Sequence, residues 1–154
     1  MAQQQVFLHD PAGYGDGYPI IGANSIVFYN ADAVYINTSG FLDIATTTSK
    51  ILGYAVENIT MAATNQTVAK VCPKYVYADV VEMVYPTSGA ITQTMVGEYA
   101  VFSSATAGSQ TISNTTSATV GQFLVIGFDP FASSDTSAVV VKAAYRQDDC
   151  YSAT

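Results

Sequence analysis

The chain has 154 residues and a mass of 16.2 kDa, which suits one compact domain with a single core. Hydrophobic residues make up 49% of it and charged residues only 11%, a composition that excludes intrinsic disorder. Twelve acidic residues against five basic ones give a formal charge of -7, so nucleic-acid phosphates would be repelled and no nucleic-acid partner is expected. So few charges cover a monomer surface poorly, and we expect part of that surface to contact other subunits or a partner.

The N-terminal segment has a composition of its own. Between Asp10 and Gly22, glycines and prolines alternate with tyrosines, a mixture that resists regular structure. We therefore predict an extended arm over residues 1–24 and a single β domain over residues 25–154. The arm carries an apolar patch that we expect it cannot bury in its own core, and such arms dock on neighbours. The residues expected to contact a partner are Val6, Phe7, Leu8, Tyr14 and Tyr18.

The rest of the chain is typical of β structure. It holds 17 Val, 10 Ile and 17 Thr against only 4 Leu, a bias toward side chains that fit a pleated sheet. Nine short runs separated by turn-forming clusters predict an all-β fold, an antiparallel β-barrel or β-sandwich of about nine short strands. The runs are Ser25–Tyr29, Ala33–Ile36, Ile51–Glu57, Thr67–Cys72, Tyr75–Val84, Ile91–Met95, Tyr99–Phe102, Phe123–Phe128 and Ala138–Arg146.

Three segments carry more detailed expectations. In Tyr75–Tyr85 the alternation predicts that the smaller aliphatic set faces the core, with the aromatic set half exposed or at an interface. Three consecutive valines at the start of Ala138–Arg146 predict a central strand that is buried on both faces. The Ser/Thr-rich tract Ser103–Thr119 is expected to form a mobile surface loop or a short edge hairpin.

Targeting and cysteine patterns favour an intracellular site of synthesis. The start Met-Ala-Gln-Gln-Gln lacks the basic and apolar regions of an export signal. The longest apolar runs are far shorter than the roughly 20 residues of a membrane-spanning helix, so no membrane partner is expected. Cys72 and Cys150 lack metal or redox spacing, and we favour two unpaired thiols over a disulfide.

The sequence contains no complete catalytic motif, and we expect neither enzymatic activity nor a cofactor. His9 is the only histidine, and no nucleophile stands beside it. The glycines of residues 13–17 lack the strand and helix of a phosphate-binding loop, and the spacing of Asp10 and Asp16 fits no EF-hand. Asp135-Thr-Ser137 matches the triplet of retropepsin-like proteases, but serines rather than an apolar strand precede it, so we interpret it as a turn.

Acidic pairs leave one enzymatic alternative open. Glu57, Glu82 and Glu98 are candidate partners in a glycosidase, which needs two carboxylates roughly 5 to 10 Å apart. The sequence alone does not place them. The 11 tyrosines suit a protein interface better than a sugar site, because they bury large areas at low entropic cost.

Four segments follow one another in a characteristic order: residues 31–45 (ADAVYINTSGFLDIA), residues 50–57 (KILGYAVE), the turn of residues 125–131 (VIGFDPF) and the valine-rich residues 138–145. This order resembles the small capsid decoration, or cement, proteins of tailed bacteriophages. The resemblance as a whole extends over about two thirds of the chain. The chain differs from that family in its aromatic Gly-rich arm at residues 10–18 and in its long Ser/Thr tract.

This resemblance implies a β protein on the outer surface of an icosahedral shell. Its members are usually trimers at threefold or quasi-threefold positions that clamp neighbouring capsomers, with no catalytic residue. The expected partners are therefore the major capsid protein and two further copies of the chain. The expected location is the virion, after synthesis in the host cytoplasm. The alternative is a carbohydrate-binding module, including one displayed on a virion, that uses Tyr and Asp side chains in a loop cleft.

Overall fold

The computed structural model describes residues 5–7, 18–64, 71–78, 81–128 and 138–144, and for residues 18 and 19 the backbone alone. These residues form short strands and one 3-10 helix, Gln93–Met95, so the all-β prediction is confirmed. The strands are β1 (Val6–Phe7), β2 (Tyr18–Pro19), β3 (Val27–Phe28), β4 (Ala33–Ile36), β5 (Leu42–Ile44), β6 (Gly53–Ala55), β7 (Ile59–Thr60), β8 (Lys74–Tyr77), β9 (Met83–Pro86), β10 (Tyr99–Ala100), β11 (Phe102–Ser104), β12 (Thr111–Ile112), β13 (Phe123–Phe128) and β14 (Ala138–Ala143).

The strands form two five-stranded antiparallel sheets and two small ribbons. Sheet A has the order β1-β9-β14-β13-β10, and sheet B has the order β2-β8-β6-β4-β5. The ribbons pair β11 with β12 and β3 with β7. The sheets do not close into a barrel, so the sandwich is the alternative that the structure supports.

The main core lies between the two sheets. Sheet A contributes an aromatic cluster in which the rings of Tyr85, Phe102 and Phe123 lie 4.8–5.6 Å apart, with Phe102 coming from the neighbouring ribbon. Sheet B contributes Tyr54 and Val76, which are both buried. A second cluster around Phe28 fills the opposite face of sheet B, beneath the β3–β7 ribbon. Sheet B is therefore buried on both faces.

One row of sheet B depends on a glycine. Tyr54 lies opposite Ala33 on β4 and Val76 on β8, and Gly53 precedes it. A Cβ atom on Gly53 would lie 2.0 Å from the Val76 carbonyl oxygen. Because that oxygen belongs to the backbone, it cannot move aside without breaking the sheet. The LGYA run of the sequence is thus a point of close backbone approach.

The predicted long strand Tyr75–Val84 is wrong in both extent and orientation. The segment forms two strands, β8 in sheet B and β9 in sheet A. Tyr75 and Tyr85, expected to be half exposed, are buried at 1% and 0% exposure, while Tyr77 is 40% exposed. Alternation predicts the buried face only for a single strand with one solvent-exposed face. Here β8 belongs to sheet B and β9 to sheet A, so the two strands contact different parts of the core.

The predicted strand Ile91–Met95 is also wrong, because Gln93–Met95 is a 3-10 helix. Ile91 is buried, whereas the next three residues, Thr92 to Thr94, are exposed. The helix ends at Met95 and is capped by Val96, and Gly97 adopts a φ of +89°, a left-handed conformation that turns the chain toward β10. A β-rich composition without a neighbouring strand to pair with does not make a strand.

Two detailed expectations are confirmed. β14 lies inside sheet A between β9 and β13, and its first four residues are all buried, as expected for a central strand. The Ser/Thr-rich tract holds the short β11–β12 ribbon, with a register shift between Phe102 and Ser104. None of the described helices is long and apolar enough to cross a membrane.

The start of the chain contacts its own domain. Val6 and Phe7 form β1 and pair with Val84 and Met83 at the edge of sheet A. The Phe7 ring packs against the main core at 6.2 Å from Tyr54, in an edge-to-face arrangement. The expectation that this apolar patch stays outside its own core is therefore wrong for Phe7, because β9 offered a free edge. Val6 remains 45% exposed.

Candidate functional site

A groove of about 540 Å³ lies beside β1, between the β3–β4 turn and the β11–β12 loop. This volume is within the usual range for small-molecule sites. Its described lining combines amide, hydroxyl and apolar groups from four segments of the chain. The lining residues are Gln5, Val6, Tyr29, Asn30, Asn58, Ala107, Gly108 and Ser109. We refer to it as the Tyr29 groove.

A tight turn presents Tyr29 at the surface. The Asp32 N–H donates to the Tyr29 carbonyl at 3.0 Å and closes the turn over Asn30 and Ala31. Ala31 adopts a φ of +73°, a strained value for a residue with a side chain. Asn30 donates its N–H to Asn58 Oδ1 at 2.8 Å, which ties the turn to the residue before β7. Tyr29 is left 43% exposed.

A buried carboxylate lies beneath the groove and holds both of its walls. Asp32 is 0% exposed. Its Oδ2 accepts the Tyr29 N–H at 3.0 Å, and its Oδ1 accepts the Gly108 N–H at 2.8 Å and the Gln5 side-chain amide at 2.6 Å. Burial raises the pKa of Asp32 from 3.8 to about 6, and the three hydrogen bonds oppose that rise. Asp32 thus fixes the distance between the turn and the loop.

Two glutamines extend this network into the core. Gln110 is 0% exposed, and its side-chain amide pairs with Ala33 by accepting the N–H at 2.7 Å and donating to the carbonyl at 3.3 Å. The Gln110 N–H donates in turn to Gln5 Oε1 at 3.0 Å. Tyr85 lies beside them, and its hydroxyl makes long contacts to Ala31 and Gln110. Burial, with smaller effects from Tyr54 and Asp32, raises the pKa of Tyr85 well above its ordinary value.

Gly108 allows the Tyr29 ring to lie against the β11–β12 loop. A Cβ atom on Gly108 would lie 2.9 Å from Tyr29 Cδ2, and the residue has a φ of +77°. Both the close approach and the backbone conformation favour glycine. The ring therefore rests on the loop in a fixed position at the edge of the groove.

The groups exposed at the groove suit the binding of a ligand. The carboxylate beneath it accepts N–H groups from Tyr29, Gly108 and Gln5. Within the described ranges, no group of three or more His, Cys, Asp or Glu side chains is placed to hold a metal ion. The exposed groups are an aromatic ring, one aliphatic side chain, amides and a hydroxyl. These groups can contact a ligand by stacking and by neutral hydrogen bonds.

Of the expected contact residues whose side chains the structure describes, Val6 and Phe7, one lies in this groove. Val6 lines it, whereas Phe7 packs into the core. Leu8 and Tyr14 lie outside the described residues. Tyr18 pairs through its backbone with Tyr75 at the edge of sheet B.

The candidate catalytic residues that the structure describes do not belong to the described lining of the groove. Glu57 accepts the Lys74 N–H at 2.8 Å, and Glu98 accepts the Thr116 hydroxyl, so both carboxylates have structural partners. Glu82 is half-buried before β9. The other candidates lie outside the described residues, namely His9, Asp10, the glycines of residues 13–17, Asp16, Asp135-Thr-Ser137 and Cys150.

The sequence pattern does not identify the residues that build the groove. It assigns Tyr29 to a predicted strand, Asp32 to a segment of the family resemblance and Gln110 to the Ser/Thr-rich tract. Asn30-Ala-Asp32 does carry a local signal, because Asn and Asp favour tight turns. No local signal identifies Gln110, whose partners lie 77 and 105 positions away.

Comparison of the chain with protein-family models, with curated proteins and with solved structures gives no match.

Proposed function

We propose that this chain is a structural virion protein that binds the outer surface of a phage capsid and stabilises contacts between capsomers. In this proposal it acts as a homotrimer, contacts the major capsid protein, catalyses no reaction, and lies on the outer capsid surface after synthesis in the host cytoplasm. Each copy buries only a modest interface. Many such copies together stabilise the shell against outward pressure.

The segments that carry the family resemblance support this proposal by their positions in the fold. Residues 31–45 form the β4–β5 hairpin, and residues 50–57 contain β6, which pairs with β4 in sheet B. The later segments include the last four residues of β13 and all of β14, and these two strands pair with each other in sheet A. The resemblance thus covers strands that pair directly with one another in each sheet.

The observation that carries the proposal is the apolar exposed surface. Among the described residues, seven large hydrophobic side chains are at least 38% exposed, in a chain that has only 17 charged residues. Single exposed apolar residues are ordinary, but this number with so little charge is typical of a surface that partners cover. The residues are Val6, Tyr29, Ile36, Tyr77, Val101, Val120 and Ile126.

The first test is the solution mass by light scattering over a range of concentrations. We expect a stable mass of about three times 16.2 kDa. The trimer would be contradicted if the chain stays monomeric at every concentration, both alone and in the presence of capsid shells.

The second test measures occupancy on shells assembled from the major capsid protein of the same phage. Each of the seven exposed apolar residues is changed to Ser in turn, with Gln93→Ala in the exposed 3-10 helix as the control. We expect two or three of the seven variants to lower the affinity for shells at least about tenfold, because a few residues dominate most interfaces. Full occupancy by all seven variants, or no binding by the unaltered chain, would overturn the proposal.

Point substitutions are preferable to deletion of the arm. Removing residues 1–20 would also remove Gln5, whose side chain donates to Asp32 and accepts from Gln110. Lost occupancy would then report a damaged fold as much as a lost contact. Val6→Ser leaves Gln5 in place and tests the exposed face of β1 alone.

A further inference from the structure

We propose that the Tyr29 groove is a binding site for a neutral saccharide. This inference does not rest on the proposed capsid binding, although Val6 and Tyr29 belong both to the groove and to the seven exposed apolar residues. It assigns to the groove a ligand that presents hydroxyl groups to its amides and a C–H face to its ring.

The chemistry of the described lining selects the ligand class. Asn30, Asn58 and Ser109 are exposed at the groove, and side-chain amides and hydroxyls both donate and accept hydrogen bonds, as sugar hydroxyls do. The described lining residues are uncharged, so they offer no counter-charge to a phosphate, a carboxylate or an amine. A neutral ligand with many hydroxyl groups matches this set best.

The Tyr29 ring supplies the apolar part of the site. It is 43% exposed, and the absence of a side chain at Gly108 lets the ring rest against the loop backbone. An aromatic ring held in this way offers a flat apolar surface with little rotamer entropy left to lose. The C–H face of a pyranose can stack on such a surface while the sugar hydroxyls reach the amides.

The site is organised before any ligand arrives. Asp32 accepts the N–H groups of Tyr29 and Gly108, one from each wall of the groove, so these walls do not need to move to form the site. Asn58 accepts the Asn30 N–H through Oδ1, which fixes the amide so that its NH₂ end is the remaining donor. Pre-organisation of this kind lowers the entropic cost of binding.

The test is saturation-transfer difference NMR of the whole chain with separate sugars at millimolar concentration. The neutral probes are glucose, galactose, mannose, N-acetylglucosamine and their disaccharides, and the charged probes are glucuronic acid and N-acetylneuraminic acid. We expect signal from at least one neutral sugar and weaker signal from the charged ones. Absence of signal from every neutral sugar, or preference for a charged sugar, overturns the proposal.

Variants then locate the binding. Titration of the best neutral sugar should show affinity at least about tenfold weaker for Tyr29→Ala, and within about threefold of the unaltered chain for Tyr29→Phe, which keeps the ring. Tyr77→Ala is the matched control, because Tyr77 is 40% exposed and does not belong to the described lining. It should bind as the unaltered chain does.

A second variant covers the possibility that Tyr29→Ala disturbs the turn. Asn58→Asp keeps the oxygen that accepts the Asn30 N–H but replaces the amide donor with a carboxylate. We expect it to unfold at the same temperature as the unaltered chain and to bind the neutral sugar at least about fivefold more weakly. If both variants, Tyr29→Ala and Asn58→Asp, bind the sugar as well as the unaltered chain does, any sugar site lies elsewhere. That result would overturn the proposal.

Discussion

The side-chain amide of Gln5 donates a 2.6 Å hydrogen bond to the buried carboxylate of Asp32, which lies 27 positions further along the chain. The same side chain accepts the N–H of Gln110. The residue before β1 is therefore part of the buried polar network, and β1 is fastened by more than its pairing with β9.

Gln5→Ala should destabilise the fold. It removes one donor to Asp32 and leaves the buried Gln110 N–H without its acceptor. We expect the free energy of unfolding to fall by about 1–3 kcal/mol, the usual cost of an unsatisfied buried group. Urea denaturation measures this loss. Gln93→Ala is the control, because Gln93 is exposed, and it should change stability by less than about 0.5 kcal/mol.

Asp32 should make stability depend on pH. Its pKa is about 6 in the folded chain against an ordinary 3.8, so the folded state binds the proton more tightly. The stabilisation that follows is complete below the lower value and is lost as the pH rises through about 6. Tyr85 stays neutral over this range, because its pKa lies well above its ordinary value.

The measurement is the difference in unfolding free energy between the unaltered chain and Asp32→Asn, from about pH 4 to about pH 7. Asparagine does not titrate, so the difference isolates Asp32 from other groups. We expect the unaltered chain to lose stability relative to the variant as the pH rises. A constant difference across the range would show that the carboxyl binds its proton equally well in the folded and unfolded states, which would contradict the raised pKa.

Gly53→Ala should disrupt sheet B. The added Cβ would lie 2.0 Å from the Val76 carbonyl oxygen, so the strands must separate. We expect a loss of at least about 2 kcal/mol, or failure to fold. Gly127→Ala is the matched control in a strand, since its Cβ would have nothing within 4 Å. Thermal unfolding of the two variants compares them, and equal stability would contradict the close approach of β6 and β8.

Phe123→Ala should remove the centre of the main core. The Phe123 ring is 0% exposed and lies 4.8 Å from Phe102 and 5.6 Å from Tyr85. We expect a cost of about 3–5 kcal/mol from the lost burial and the cavity left behind. Ile126→Ala on the same strand should cost much less, because Ile126 is 39% exposed. Denaturant unfolding of both variants tests the assignment of the two faces of β13.

Local pattern was sufficient for the class of fold and for several strands. The predicted bounds of β4 and β13 match the structure, and the valine run did indicate a central strand. Pattern failed where a segment changes sheets, as in Tyr75–Val84, because alternation says which residues share a face and not which core that face meets. Strands as short as β7 have too few residues to show a period.

The Tyr29 groove is not predictable from the sequence for a different reason. Its walls come from segments near residues 5, 29, 58 and 108, which only the folded topology brings together. Burial of a lone aspartate also contradicts the usual preference of that residue for the surface. Asp32 is buried because three N–H donors converge on it, and two of them, from Gln5 and Gly108, are distant in the sequence.

The pairing of the Gln110 side chain with the Ala33 backbone also bears on the order of folding. Ala33 lies at the start of β4, which pairs with β5 and β6, and its N–H and carbonyl also bond the amide side chain of a residue 77 positions away along the chain. Closing a loop of that length costs entropy, so we expect this link to form late in folding. The amide hydrogen of Ala33 should therefore be among the last to gain protection from exchange during refolding, later than those in the β4–β5 hairpin.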